Sequence, residues 1–501
     1  MERGSAMVGV EALMLYPSQD RVKETLTGAS NPPHLGLTRS PAFGPMESGV
    51  LRRIVTVLAM LALAFAGVAE AAQKKNSGPA FIRDAEIEGL LRLYARPIFK
   101  AAGLNPGAVK VVLINDNGIN AFVAGGQRIF VHTGLLTQAK TPNEVIGVLA
   151  HETGHIAGGH LARIRDQLEK ASTINLIGML IGVAAIAGGA AAGESEVAKA
   201  GQGAIVGGAG LGQRTLLSYV RSMEASADQA ALRYLTATGQ SGRGMLNLFQ
   251  KLANQSSGSL RRIDPYVQSH PMPLERIRNL EREAKASPSF DTPDKPELIL
   301  RHALMQAKLI GFIQPAQVAA RYPRSDKTMP ARYARAIAAF RSGDTSGAVA
   351  TIDGLIEELP QNPYFWELKG QALLEGGQAA KAVAPLRKAV ELLPSSGLIQ
   401  ISLAQALLDT ENPKNAAAAL AALRTARKTE LDNPSLHRYF AVAYGLSGDI
   451  PRADLATAEF AFLIGDRDLA AAKAKGALAK FKNGTPDWTR ANDILNFVNR
   501  K

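Results

Sequence analysis

Three pairs of residues in the last third of the chain repeat at one interval of 34 positions: Gly343 and Gly377, Ala348 and Ala382, Pro360 and Pro394. The order of glycine, alanine and proline describes a helix–turn–helix unit. The glycine permits the turn, the alanine lets paired helices cross closely, and the proline stops the second helix. One such unit cannot bury its own apolar face, so neighbours must stack into a solenoid. A third unit, with Asn412-Pro413 in its turn, is longer by a few residues, and a fourth runs from Pro434 through Gly448 and Ala453. Residues 330–470 are therefore expected to be all-α, with helices near 297–322 and 468–500 extending or capping the array.

The interval and residue types resemble tetratricopeptide repeats, so 297–501 is read as a tetratricopeptide-repeat domain. The 501-residue chain is too long for one ordinary core and leaves room for about three domains. Arg52-Arg53, the apolar run Ile54–Val68 and Ala69-Glu70-Ala71 read as an export signal cleaved before Ala72. The polar residues 1–45 precede it, and Met46 would place the signal where signals normally begin. Residues 1–71 are thus an N-terminal extension and signal peptide, and the destination is the periplasm.

The formal net charge of +13 belongs to the chain after residue 71, with no dense Lys/Arg run interleaved with aromatics, so nucleic-acid binding is not expected. The absence of cysteine excludes disulfides, thiolate metal ligands and a cysteine nucleophile.

Between these ends, residues 72–290 read as an α+β, mostly helical unit. Apolar residues recur at helical spacing from about Ile82 to Ala102 (Ile87, Leu90, Leu91, Leu93, Tyr94, Ile98). Val109–Ile114, Ala121–Val123 and Arg128–Val131 read as strands, with Gly125-Gly126 splitting the last two. The strand at 128–132 is expected to border a cleft and offer its edge to an extended substrate. Thr141 caps a helix from Pro142, with Glu144 at its third position, that runs into His151-Glu152-Thr153-Gly154-His155. Residues 174–192 carry no charge, and a second apolar, Gly-rich stretch follows at 201–212. This insertion, 174–212, is either a helical hairpin that touches a membrane surface or covers the substrate, or a helix pair packed through small residues.

His151 and His155, four apart on a helix, point to one side and can share one Zn²⁺, with Glu152 near enough to take a proton from water. Catalytic zinc needs a third protein ligand. His160 lies about 140° off that face and is rejected. Glu224 is the better candidate, with Asp228 one turn on to hold a histidine N–H.

This set resembles the M48 family of metallopeptidases, whose His-Glu-x-Gly-His matches 151–155 and whose Glu-x-x-Ala-Asp matches Glu224, Ala227 and Asp228. Ser226 departs from the second Glu of many members, at a position that is no ligand. The resemblance implies a zincin-like catalytic domain with one Zn²⁺ on His151, His155 and Glu224. Glu152 would be the general base and Asp228 a supporting acid. Ser269–Ile277 and Asn120-Ala121-Phe122 are also family-like. His270 would gate the fourth zinc position or stabilise the oxyanion, and Arg276 would pair with acids near the site or stabilise the transition state. With export and repeats, the whole resembles exported M48 peptidases that serve outer-membrane β-barrel proteins. It implies an endopeptidase with chaperone-like client binding. Its partners would be polypeptides, misfolded or stalled outer-membrane proteins among them, and the assembly machinery docked through the repeats. The alternative is a repeat-based chaperone or scaffold whose protease site is normally shut.

Overall fold

The structure, a computed structural model, describes residues 80–164, 166–170, 172, 217–257 and 265–500. The signal reading at 1–71 and the apolar insertion at 174–212 lie outside these residues. Among the described residues no helix is long and apolar enough to cross a membrane.

Four strands form one sheet: β1 (Phe81–Ile82), β2 (Lys110–Ile114), β3 (Ala121–Ala124) and β4 (Arg128–His132). Their order is β1-β2-β4-β3, with β2 parallel to β4 and the outer pairs antiparallel. This corrects the expectation for 128–132. The hairpin of β3 and β4 joins β2 through β4, so β4 has a partner on each side and β3 lies at one edge of the sheet.

Helix α1 (Ala85–Ala101) begins three residues later than the apolar spacing suggested. Ile82 belongs to β1, and Asp84, with an extended backbone, caps the helix by accepting from Ile87 N at 2.9 Å. Ile87, Leu90, Leu91, Tyr94 and Ile98 are buried, whereas Leu93 is rotated off that stripe and exposed. After α2 (Thr133–Gln138) comes α3 (Pro142–Ala157), the helix of the histidine pair. Thr141 accepts from Glu144 N as expected, but the Glu144 carboxylate reaches back to Lys140 N at 2.8 Å. Then follow α4 (217–237), α5 (Arg243–Ser257), α6 (Pro265–Ser269) and α7 (Leu274–Lys285).

Helices α8 (Pro296–Ile313) and α9 (Val318–Arg321) lead into five antiparallel pairs. These are α10 (Met329–Arg341) with α11 (Thr345–Glu358), α12 (Pro363–Glu375) with α13 (Ala379–Leu392), and α14 (Gly397–Leu408) with α15 (Ala416–Ala426). The last two are α16 (Pro434–Leu446) with α17 (Ile450–Ile464), and α18 (Arg467–Leu478) with α19 (Pro486–Asn499). Gly343 and Gly377 turn the first two pairs at φ of 90° and 73°, and Ala348 and Ala382 are fully buried at their crossings.

The repeats are not a detached tail. One buried apolar cluster runs from Ile82 to Ala372 without a break at the end of α7. Lys308 of α8 is buried beside Asp84 at 2.8 Å, Glu86 at 3.4 Å and Glu367 at 3.7 Å, while Tyr333 donates to Glu86 at 2.8 Å. Arg83 reaches Glu430 at 2.6 Å, so the segment leading into α1 is held by repeat residues at two places.

Candidate metal centre

Helices α1 and α5 and the strand β3 pack against α3, and His151 and Glu152 are fully buried. Helix α4 also packs on α3, and here Gly154 matters. A β-carbon on it would stand 2.8 Å from the Ala227 carbonyl oxygen, so the two helix backbones touch. That approach brings Glu224 and Asp228 of α4 to the imidazoles of α3. His270 arrives from the turn after α6, its N–H bonded to Tyr266 O at 2.7 Å, and Arg276 from α7.

Four side chains, His151, His155, Glu224 and His270, each offer one ligand atom, all within 4.8 Å of one another. His151 Nε2 lies 3.0 Å from His155 Nε2 and 3.3 Å from His270 Nδ1. Glu224 oxygens lie 3.4 Å from both Nε2 atoms and 3.1 Å from His270 Nδ1. Nitrogen and oxygen ligands about 2.0–2.1 Å from a tetrahedral ion stand about 3.3 Å apart, so the spacings fit a zinc-sized site. The charge fits too. Glu152, Glu224 and Asp228 are buried with Arg276 as the fixed cation among them. With the imidazoles neutral and all three carboxylates ionised, as a bound metal would hold them, the two negative charges left over match a divalent ion, since buried charge must be compensated.

Residues 82–284 match peptidase family M48, and residues 333–397 match the tetratricopeptide repeat. The chain carries an M48 metallopeptidase domain. It is similar to the beta-barrel assembly-enhancing protease of Yersinia pestis, 24% identical over 399 residues that cover 77% of this chain and 78% of the relative. With the protein of that name from Escherichia coli K12 it shares 23% over 313 residues, 61% of each chain. Metalloprotease YcaL of the same organism is 30% identical over 188 residues, 36% of this chain and 66% of the relative. Family and relatives make the chain a metalloendopeptidase.

Within the M48 domain, every site residue singled out from the sequence comes to this cluster. Asp228 Oδ1 lies 2.9 Å from His151 Nδ1, on the side of the ring away from the cluster. Arg276 grips Asp228 with Nε at 2.6 Å and Nη2 at 2.9 Å, and its Nη1 reaches Glu224 at 2.8 Å and Pro271 O at 2.9 Å. Its donors are thus turned to these acids. His160 is buried behind His155 and is not among the four.

Electrostatics follow from this packing. Burial disfavours charge on His151, but Asp228 and Glu224 outweigh it and carry its pKa up to about 9. Burial, with the charge on His151, holds His155 well below its ordinary value and keeps it neutral. Burial would raise Glu224, yet bonds from His151 and His270 keep it ionised. Glu152 has no such donor among the described residues and is pushed up by burial.

Two aromatic residues were missed. Phe249 meets His151 edge-on at 5.5 Å, with Arg276 5.5 Å over its ring, and Tyr266 stacks on His270 at 4.5 Å. On an amphipathic helix Phe249 reads as ordinary core. Tyr266 stands four residues before His270, a spacing that signals contact.

Proposed function

We propose that the chain is an exported, zinc-dependent endopeptidase with one Zn²⁺ held by His151, His155 and Glu224. The observation that carries this reading is the convergence of those ligand atoms beside a buried carboxylate, Glu152, that has no hydrogen-bond partner among the described residues. When bound, zinc polarises the scissile carbonyl and makes a water acidic enough to attack near neutral pH. Glu152 takes the proton from the attacking water and returns it to the leaving amine. The raised affinity of Glu152 for a proton, caused by burial, suits that task. Asp228 orients His151 through Nδ1, and Arg276 keeps Asp228 and Glu224 in place. The edge strand β3, packed against α3, takes an extended substrate through backbone hydrogen bonds.

The catalytic unit is 72–290 and the repeat unit 297–501, the whole acting in the periplasm. The relatives named beta-barrel assembly-enhancing protease support outer-membrane β-barrel proteins, misfolded or stalled, as the polypeptides it handles. The repeats dock those clients or the assembly machinery, and nucleic acid is not a partner.

A second reading, a chaperone or scaffold whose protease site is normally shut, is favoured by His270. This residue spans both working groups, with Nδ1 in the ligand cluster and Nε2 3.5 Å from Glu152 Oε1. In that position it fills the fourth ligand place and covers the base. Cleavage of an unfolded polypeptide by His270→Ala, compared with the parent at equal metal content, separates the roles. Faster cleavage by the variant supports gating, and lost cleavage with metal retained supports oxyanion stabilisation.

A further inference from the structure

The two ligand histidines of α3 are backed by different groups. His151 turns its second nitrogen to Asp228. His155 turns Nε2 to the cluster and Nδ1 to His160 Nδ1, 3.1 Å away. The rings of His155 and His160 meet edge-on at 5.0 Å. This contact depends on the turn that ends α3. A β-carbon on Gly158 would stand 2.4 Å from His160 Nε2, so the imidazole occupies the space that any other residue would fill. Gly159 then reverses the chain at a φ of 62°, a conformation that side-chain-bearing residues rarely adopt. Two successive glycines thus fold a histidine back onto a ligand it is too far round the helix to join.

We propose that His160 is a positioning residue for the metal: its Nδ1 accepts the Nδ1–H of His155, fixing the tautomer and ring angle that present His155 Nε2 to the cluster. The proposal rests on the reading that His151, His155 and Glu224 hold zinc. A nitrogen that binds metal must be unprotonated, so the proton of a neutral His155 has to sit on Nδ1, and a buried N–H there needs an acceptor. The backing of the two ligands is therefore asymmetric. Asp228 supports His151 with a carboxylate, whereas His155 rests on a neutral ring.

The test is zinc affinity of the full chain, measured by competition with a chromophoric chelator, for His160→Ala, His160→Asn and His155→Ala. An asparagine carbonyl oxygen takes the place of Nδ1, so His160→Asn is expected to stay within a few-fold of the parent. His160→Ala is expected to lose about 10–100-fold. Metal-free melting curves of each variant separate this from a general loss of structure. If His160→Ala binds zinc as tightly as the parent, or if His160→Asn loses as much affinity as His160→Ala, the positioning role is overturned. If His155→Ala itself binds zinc like the parent, the ligand set is wrong, a result distinct from failure of His160 alone.

Discussion

Gly154 and Ala227 are in backbone contact: a β-carbon on the glycine would lie 2.8 Å from the alanine's carbonyl oxygen and 3.0 Å from its Cα. Neither residue does chemistry, yet their closeness sets the distance between the helix bearing the imidazoles and the helix bearing the carboxylates. Gly154→Ala forces α3 and α4 apart. The expected cost is about 1–3 kcal/mol of stability by overpacking, with a larger relative loss of zinc affinity. Denaturant unfolding and chelator competition on the same variant check this. Unchanged zinc affinity would show that the helix spacing has slack.

The buried group around Lys308 gives a second expectation. One ammonium there faces Asp84, Glu86 and Glu367, which belong to the cap and first turn of α1 and to the repeats. Lys308→Met leaves those carboxylates without a cation and should cost about 3–5 kcal/mol. A loss under 1 kcal/mol in denaturant unfolding would contradict the role assigned to Lys308.

The same group makes stability depend on pH. Burial, opposed by Lys308, raises Glu367 from 4.5 to about 7, and Glu86 is raised for the same reason. A carboxyl whose folded pKa is raised stabilises the fold fully below its unfolded value and loses that contribution as pH rises through the folded value. Stability from this source therefore falls between about pH 4.5 and pH 7. Glu367→Gln, which stays neutral, should flatten that slope and be the more stable protein at pH 8. Parallel pH profiles for variant and parent would refute the assignment.

In the third repeat, Glu411 stands 34 residues after Gly377 and adopts the same left-handed turn, at a φ of 56°. A side chain in this conformation costs about 1–2 kcal/mol. Glu411→Gly should therefore raise stability by about 1 kcal/mol. Gly377→Ala should lower it by a similar amount, because its β-carbon would meet nothing within 4 Å among the described residues and the cost is backbone strain. Thermal unfolding of the two variants measures both effects.

How much could be read in advance follows from range. The histidine pair, Glu152 and the repeat pairs rest on helical spacing within a few residues, which sequence displays directly. Glu224, Asp228, His270 and Arg276 lie 46–48 residues apart in contacting pairs. No local rule joins them, and the family resemblance did. The Lys308 group went unread because a lone lysine in a helix reads as solvated, and its partners are up to 224 positions away. The edge assignment of β4 failed for a similar reason: alternation marks strands but does not order them. Glu411 hid a repeat turn because the residue that marks such turns is glycine.

The most direct test of the account is paired. Zinc content is measured by elemental analysis, and cleavage of an unfolded polypeptide is followed, for the parent and Glu152→Gln. The expected result is one zinc per chain in both, with cleavage lower by about 10²–10⁴-fold in the variant. A zinc-replete Glu152→Gln that cleaves at the parental rate would contradict the mechanism.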